Sequence, residues 1–335
     1  MNILFMGLGS IGQRHLQNLI STFGNEFDYY AVRNTSHNVY IKDGVAKDVS
    51  SLAKIYGLIE FFDIDKAFET VKFDIVYITN PSSMHLEGIK RAVKEGCAVF
   101  VEKPLCVDMV EVEKIKQFHA KDSIVYVGYQ TQFDPLYQAL KDLIASRDFG
   151  MPVSFRSEWG TYLPDHHKYE DYRRGYAARK SLGGGVLLGL SHELDIILDI
   201  FGFPLAVASV ESKNRQLEIE ADDTFSVLCK FENNGIQFSG TLNLSYSQKF
   251  ETRFLNLHFE KGFISFDFVK RTCAYLLGKM TEPTVIHSSV TRNETFTKQT
   301  IAFIDAVKNK DFNFDNFDRA ASVVNFVENI KNGRL

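Results

Sequence analysis

The chain has 335 residues, of which 45% are hydrophobic, and this length exceeds the usual size of one hydrophobic core, so two globular domains are expected. The 38 basic and 42 acidic residues give a formal net charge of −4. This balance argues against nucleic acid or an anionic membrane as a partner.

The first 128 residues alternate short apolar runs with helical patterns. The predicted strands lie near residues 2–6, 28–32, 59–62, 74–79, 97–101 and 124–128. The predicted helices lie near residues 11–22, 64–71, 83–95 and 109–120. Because strands alternate with helices, we predict an α/β domain of the Rossmann type over residues 1–128, built on a doubly wound parallel sheet.

After residue 129 the pattern changes, and apolar and polar residues alternate with a period of two. Such rows start at Phe225, Ile236 and Ile264. Asn233-Asn234-Gly235 predicts a hairpin turn between the first two rows. We therefore predict an α+β domain over residues 129–335, with a mostly antiparallel open sheet that helices cover on one face. The other face carries polar residues and is either solvated or a subunit interface: Ser239, Thr241, Asn243 and Ser245.

The chain closes with two helical patterns, near residues 294–308 and 315–332. The sequence leaves open whether the last helix packs on the first domain. The first twelve residues are typical of a strand and a turn rather than a signal peptide, and no apolar run has the length of a membrane span. The four cysteines are widely spaced without a C-x-x-C pair, so reduced thiols and a cytoplasmic location are expected.

A glycine-rich turn, Gly7-Leu8-Gly9-Ser10-Ile11-Gly12, follows the first predicted strand. Gly7 permits a tight turn, Gly9 lets backbone approach a pyrophosphate, and Gly12 lets the helix pack closely. Backbone amides at the start of the helix, including those of Ser10 and Ile11, then meet the phosphates. The pattern predicts a dinucleotide site, although similar turns also join strands to helices in proteins that bind nothing.

Three further polar segments follow predicted parallel strands. They are Arg33, Asn80-Pro81 and Glu102-Lys103. Ligands of doubly wound sheets bind beyond the carboxyl ends of the strands, so these residues and the glycine turn are expected to converge on one crevice.

Together these motifs resemble the Gfo/Idh/MocA group of sugar and cyclitol dehydrogenases, over essentially the whole chain. The resemblance is carried by Gly7-Leu8-Gly9-Ser10-Ile11-Gly12, Thr79-Asn80-Pro81 with His85, Glu102-Lys103-Pro104, Gly128-Tyr129-Gln130, Gly183-Gly184-Gly185 and Ser191-His192-Glu193-Leu194-Asp195. It implies hydride transfer between a nicotinamide and a secondary alcohol or ketone of a sugar derivative. It also implies a homodimer or homotetramer.

Lys103 precedes a proline, which restricts it to an extended backbone. The resemblance implies that Lys103 reaches both the reacting sugar hydroxyl and the cofactor ribose. It also implies cofactor contacts from Asn80, His85 and Gln130. Glu102 is expected to pair with Lys103 or with a ribose hydroxyl, and the alternatives are a solvated surface lysine and a structural glutamate.

His192 lies in a predicted helix, and Asp195 three residues later shares its face. An imidazole suits removal of the hydroxyl proton while hydride leaves the same carbon. The resemblance places the catalytic histidine at His192, where a structural histidine is the alternative. Asp195 is expected to orient or pair rather than to react.

The chain departs from the family pattern at two places. Many relatives have an aspartate where this chain has Gly189, and the family commonly shows asparagine and arginine where this chain has Gln130 and Gln132. Substrate contacts are therefore altered, which implies a different sugar, a different reacting carbon or lost activity.

The end of the second predicted strand bears on the choice of cofactor. It reads Arg33-Asn34-Thr35-Ser36. A guanidinium with neighbouring hydroxyls can hold a 2′-phosphate, and this segment carries no carboxylate to repel it. NADP(H) is therefore favoured, with NAD(H) as the alternative if Arg33 stacks on the adenine.

Residues 159–180 concentrate aromatic and cationic side chains. Trp159, Tyr162, Tyr172 and Arg173 are the predicted substrate contacts, together with Lys103, His192 and Asp195. Aromatic faces pack on sugar rings and arginines bind carboxylate or phosphate, so an anionic sugar is predicted. The segment resembles family members linked to bacterial surface sugars, including nonulosonic acids and nucleotide sugars. An exposed loop that braces the domain joint is the alternative, and no metal site is expected because His166-His167 lack a third ligand.

Other functions stay open beside the dehydrogenase. An enzyme of the same fold could retain and recycle its cofactor without net redox change. A non-catalytic regulator could sense NADP(H), which the missing carboxylate at Gly189 would favour. A purely structural role would leave Lys103 and His192 without a use.

Overall fold

A computed structural model describes residues 1–34, 38–213 and 216–333. The chain divides into two compact units. The first contains residues 1–129 and 293–321, and the second contains residues 130–292 and the chain from residue 322 onward. None of the helices in the described ranges is both long and apolar enough to cross a membrane.

The first unit is built on a parallel sheet. Its elements before residue 130 are β1 (Asn2–Met6), α1 (Ser10–Phe23), β2 (Asp28–Val32), β3 (Val39–Lys42), β4 (Val45–Asp48), α2 (Leu52–Tyr56), β5 (Ile59–Phe61), α3 (Ile64–Thr70), β6 (Ile75–Ile78), α4 (His85–Lys94), β7 (Ala98–Val101), α5 (Met109–Lys116) and β8 (Val125–Val127). Among the described residues, six strands join in the order β5-β2-β1-β6-β7-β8, all parallel. The predicted parallel sheet is confirmed. The strand order reverses beside β1, the point where such sheets bind ligands.

The hairpin of β3 and β4 is absent from the sequence prediction. Its backbone is held by Gln13 of α1, whose Nε2 donates to the carbonyl oxygen of Val39 at 2.8 Å. The Gln13 Oε1 accepts from the backbone nitrogen of Ile41, also at 2.8 Å. The Gln13 contacts attach the hairpin to α1, whereas its turn is formed by Asp43 and Gly44, which both have a positive φ. An Asp-Gly pair is a local hairpin signal that the sequence prediction missed.

The second unit is built on a mostly antiparallel sheet, as predicted. Its elements are α6 (Pro135–Ala145), β9 (Pro152–Tyr162), α7 (Val186–Gly189), α8 (His192–Phe201), β10 (Ala206–Ser212), β11 (Thr224–Asn233), β12 (Ile236–Ser245), β13 (Ser247–Phe259), β14 (Gly262–Asp267), β15 (Thr272–Leu277) and β16 (Thr284–His287). Within the described ranges, eight strands follow the order β10-β11-β12-β9-β13-β14-β15-β16. Only the β12–β9 pair among them is parallel.

The two faces of this second sheet differ as the alternation predicts. Phe201 of α8 stacks on Phe155 of β9 with ring centroids 5.0 Å apart, and it contacts Phe231 of β11 at 5.6 Å. This face forms the core of the unit. On the opposite face Ser239 and Thr241 are exposed in the single chain. An interface between copies on that face stays a prediction.

The chain ends with α9 (Arg292–Asn309) and α10 (Phe317–Asn332), close to the two predicted helices. The sequence prediction assigned both helices to the second domain. In the structure residues 293–321 group with the first unit, whereas the rest of α10 groups with the second.

Aromatic packing explains why α9 joins the first unit. The ring of Phe303 lies 5.3 Å from that of Phe100 in β7 and 5.7 Å from that of Tyr77 in β6. Beyond α9, Asn316 pairs with edge strand β8, since its Oδ1 accepts from the Val127 nitrogen at 2.7 Å and its Nδ2 donates to the Val127 oxygen at 3.0 Å. Covering the edge in this way satisfies backbone groups that an open edge would expose.

Candidate functional site

The turn between β1 and α1 leaves no room for side chains at two of its glycines. A Cβ on Gly7, whose φ is +102°, would lie 3.0 Å from the Asn80 nitrogen. A Cβ on Gly12 would lie 2.4 Å from the Gly7 oxygen and 2.7 Å from the Thr79 Oγ1. A Cβ on Gly9 would meet nothing within 4 Å. Packing therefore requires Gly7 and Gly12, whereas Gly9 faces open space.

The open space is a cleft of about 910 Å³ in the first unit, within the size range of ligand pockets. Of the predicted cofactor residues, its wall includes Gly7, Gly9, Arg33 and Asn80. Helix α1 begins at Ser10, so its first amides have no intrahelical acceptor, and Gly9 has no side chain to cap them.

A buried polar atom supports a ligand in this cleft. Among the described side chains, Asn80 Oδ1 is buried without a hydrogen-bond partner. A glycine turn that admits close approach, uncapped helix amides and this oxygen fit the pyrophosphate and sugar of a dinucleotide. Residues 7–12 and Asn80 would hold it.

Arg33 has a carboxylate neighbour that the sequence prediction did not include. Its Nη1 lies 2.5 Å from Glu60 Oε1 and 2.8 Å from Asn38 Oδ1. The expectation that no carboxylate would repel a 2′-phosphate is therefore wrong. β5 pairs with β2, which brings Glu60 beside Ala31, two residues before Arg33. The predicted hydroxyl partners Thr35 and Ser36 lie outside the described residues.

Glu102 and Lys103 directly follow β7. Glu102 is buried, and its Oε2 accepts from the Lys103 backbone nitrogen at 3.1 Å. Its Oε1 lies 2.7 Å from Nε2 of the buried His15 in α1. Glu102 thus binds the backbone of Lys103.

His85 lies at the start of α4 and connects two loops. Its Nε2 is 3.0 Å from the Asn80 oxygen, and its Nδ1 is 3.0 Å from the Pro104 oxygen. Burial lowers the pKa of His85, although the backbone contacts oppose this shift. These contacts brace the loops around Asn80 and Pro104, and the predicted cofactor contact of His85 stays a prediction.

In the second unit His192 begins α8 and is buried together with Asp195. The Asp195 Oδ2 accepts from Gln132 Nε2 at 3.0 Å. Gln132 is therefore a hydrogen-bond partner of Asp195, which lies near His192. The resemblance led us to expect a different residue at position 132. Gln130 is buried in the turn that precedes α6.

Trp159, a predicted substrate contact, is half-buried and packs on Arg253. The guanidinium of Arg253 lies 3.9 Å from the centre of the Trp159 ring, and the His192 ring lies 6.4 Å from that ring. Arg253 Nε donates to the buried Glu193 at 2.6 Å. Since Glu193 adjoins His192 in the chain, Arg253 and Trp159 belong to the packing that surrounds the start of α8.

A tyrosine fills the space where a side chain at position 189 would lie. A Cβ on Gly189 would lie 1.7 Å from the hydroxyl oxygen of Tyr246. This hydroxyl donates to the Gly185 oxygen at 3.2 Å, and burial raises the pKa of the phenol. Tyr246 therefore leaves room only for a glycine at position 189, where the resemblance led us to expect an aspartate.

The remaining predicted substrate residues contact other surface groups. The Tyr172 hydroxyl accepts from the Glu218 nitrogen at 3.2 Å, and Arg173 binds Asp171 and Glu218. Lys249 lies 5.9 Å above the Tyr162 ring. His166 and His167 contact separate partners, Thr161 and Glu170.

Sequence reasoning missed three residues of these sites. His15 follows Ile11 by one helical turn on a predicted apolar face, so its polarity was a usable signal. Glu60 and Tyr246 gave no local signal, because strand pairing and tertiary packing bring them to Arg33 and Gly189.

Family models match most of the chain in two segments. A model described as an oxidoreductase family with an NAD-binding Rossmann fold matches residues 1–129. A model of the GFO/IDH/MocA C-terminal domain matches residues 137–265.

Among curated proteins, the chain is 30% identical over 158 residues to an inositol 2-dehydrogenase of Serratia proteamaculans, covering 46% of this chain and 44% of that protein. It is 28% identical over 156 residues to a scyllo-inositol 2-dehydrogenase (NAD(+)) of Bacillus subtilis, covering 45% of this chain and 42% of that protein. The chain spans about half the length of the curated relatives it matches.

Solved structures match over nearly the full length. A levoglucosan dehydrogenase in complex with NADH gives a TM-score of 0.82 at 16% identity, covering 99% of this chain and 96% of that chain. A UDP-N-acetylglucosamine 3-dehydrogenase from Acidithiobacillus ferrooxidans gives 0.74 at 16% identity, covering 100% and 97%. At this identity the likeness shows a shared fold, and the two family models establish the relationship in sequence. The chain belongs to the GFO/IDH/MocA family of oxidoreductases.

Proposed function

We propose that the chain is a nicotinamide-dependent dehydrogenase or reductase of a sugar derivative. The observation that carries the proposal is the cleft of the first unit, where Gly9 faces open space beside the uncapped amides of α1. The family model with an NAD-binding fold covers the same residues. When bound, the nicotinamide supplies the hydride acceptor or donor.

The proposed roles of the protein side chains follow from their chemistry. In oxidation the alcohol carbon gives up a hydride and its hydroxyl gives up a proton, which the imidazole of His192 accepts. The ammonium of Lys103 stabilises the negative charge that develops on the alkoxide oxygen. In reduction Lys103 polarises the carbonyl and His192 returns the proton. Gln132 holds Asp195, which lies one helical turn after His192.

We propose NAD(H) rather than NADP(H) as the cofactor. The preference for NADP(H) predicted from Arg33 assumed a guanidinium without a carboxylate neighbour. Because Glu60 already binds Arg33, a 2′-phosphate would have to compete with that carboxylate and would be repelled by it.

The proposed substrate is an anionic sugar, such as a nucleotide sugar or a sialic-type sugar acid. Support comes from cationic side chains in the segment of the second unit that the sequence analysis singled out. Arg174, Arg179 and Lys180 are exposed there. Tyr172 and Arg173 have protein partners and are weaker candidates for substrate contact.

Gly9→Ala is expected to weaken NADH binding by about tenfold or more, a loss near 1.4 kcal/mol, because the methyl group enters the space that the backbone needs for close approach to the pyrophosphate. The melting temperature should barely change, since the Cβ meets no atom and φ is −72°. The control Gly12→Ala should lower the melting temperature, because its Cβ would clash with the Gly7 oxygen. Nicotinamide fluorescence measures NADH affinity, and circular dichroism measures the melting temperature. Full NADH affinity in Gly9→Ala would place the site elsewhere.

Glu60→Gln is expected to shift the ratio of NADPH to NADH affinity toward NADPH by about tenfold, since it frees the Arg33 guanidinium from a carboxylate. Wild type should bind NADH more tightly than NADPH, and Arg33→Ala should abolish the gain of Glu60→Gln in the double variant. Fluorescence titration with both cofactors measures the ratios. If wild type instead binds NADPH more tightly than NADH, and if Glu60→Gln leaves the ratio of the two affinities unchanged, the preference for NADP(H) inferred from Arg33 alone would be restored.

Lys103→Met and His192→Asn are each expected to reduce turnover at least about a hundredfold, in line with loss of a charge stabiliser or a proton acceptor. Both variants should retain NADH binding within a few-fold. Absorbance at the nicotinamide band is followed with nucleotide sugars, sialic-type acids and inositols as candidate substrates. The matched controls are Lys279→Met and His287→Asn, since both residues are exposed.

The same assay separates the rival functions. Wild-type turnover by either Lys103→Met or His192→Asn would contradict the proposed roles. NADH binding without turnover of any candidate substrate would favour a regulator. Cofactor that stays bound through gel filtration, with no net change during turnover, would favour a recycling enzyme.

A further inference from the structure

A chain of buried polar contacts connects α1 to the backbone of Lys103. His15 of α1 is 0% exposed, and its Nε2 lies 2.7 Å from Glu102 Oε1. The other carboxylate oxygen of Glu102 accepts from the Lys103 nitrogen at 3.1 Å. One carboxylate therefore joins a helix side chain to the backbone of the proposed catalytic lysine.

The position of the His15 ring is fixed by aromatic packing. Its centroid lies 4.7 Å from the ring of Phe100 in β7, 5.5 Å from Phe296 in α9 and 5.7 Å from Tyr77 in β6. A ring enclosed on these sides cannot follow a moving carboxylate. His15 therefore determines where the Glu102 carboxylate lies, and not the reverse.

Glu102 needs a partner at this position. A buried carboxylate without a compensating donor or charge is strongly disfavoured. The Lys103 amide alone supplies one hydrogen bond to one oxygen, and His15 supplies the contact to the other. Without His15, the carboxylate would be drawn toward water or toward the ammonium of Lys103, and the backbone at Lys103 would lose its fixed acceptor.

We propose that His15, acting through Glu102, is a positioning residue for Lys103. This inference rests on the proposed function in that it takes Lys103 to be the residue that acts on the substrate. Helix α1 carries both the amides that face the cleft and His15, so the same rigid element holds the dinucleotide turn and the segment of Lys103.

The test measures the rate at which an amine-directed reagent modifies Lys103 in the full chain without cofactor, relative to the exposed Lys279, by mass spectrometry. His15→Phe keeps an aromatic ring and removes both nitrogens, and it should raise the relative rate of Lys103 at least about threefold, since the backbone is no longer held. His15→Gln keeps a hydrogen-bond donor and should return the rate close to wild type. The control Phe73→Leu, at a buried ring that packs on Tyr30 and Phe68, should lower the melting temperature without changing the rate.

A double-variant cycle shows whether His15 acts through Glu102. If it does, His15→Phe combined with Glu102→Gln should change the rate no more than the larger single variant, because the two substitutions break one chain. Additive effects, an unchanged rate in His15→Phe, or an equal change in Phe73→Leu would each overturn the proposal. If His15→Phe does not fold, His15→Leu, which also lacks a hydrogen-bonding side chain, replaces it in the cycle with the same expectations.

The labelling experiment is independent of the proposed enzyme activity. NADH titration of the same wild-type sample reports whether the first unit binds nicotinamide at all. Absence of NADH binding, with the labelling cycle as predicted, would defeat the proposed function and leave the structural role of His15 in place. Normal NADH binding with an additive cycle would defeat only the role of His15.

Discussion

The close approach between the turn after β1 and the end of β6 is the constraint on which the first unit depends. Gly12 lies where any Cβ would clash with the Gly7 oxygen and with Thr79, and a Cβ on Gly7 would lie 3.0 Å from the Asn80 nitrogen. This contact points the start of α1 into the cleft and leaves Gly9 open to a ligand. The parallel sheet supplies the rigid frame, and strand order places the opening beside β1.

Carboxylates with fixed partners lie beside the proposed functional residues of both units. In the first unit Glu60 holds Arg33, and Glu102 joins His15 to the backbone of Lys103. In the second unit Glu193 binds Arg253 beside His192. A buried charge is tolerated only with such partners, so each pair fixes the geometry of a neighbouring functional residue. The pairs make the proposed chemistry depend on residues that do not themselves touch a ligand.

Local patterns were sufficient for the elements and for the glycine turn, because helix and strand periods and the spacing of residues 7–12 are properties of consecutive residues. The hairpin of β3 and β4 also has a local signal, the turn at Asp43 and Gly44, which the sequence prediction missed, whereas its attachment to Gln13 of α1 is a tertiary contact. Local patterns do not indicate that α9 groups with the first unit, where its Phe303 packs on Phe100. The choice of cofactor depended on Glu60, which strand pairing alone brings to Arg33.

Hydrogen–deuterium exchange of the full chain, with and without NADH, tests most directly the claim that the first unit holds a nicotinamide dinucleotide. Bound NADH should slow amide exchange in residues 10–12, because the ligand would satisfy helix amides that have no intrahelical acceptor, and around Asn80, which lines the same cleft. Slowed exchange confined to the second unit, or no change in either segment at saturating NADH, would contradict the claim.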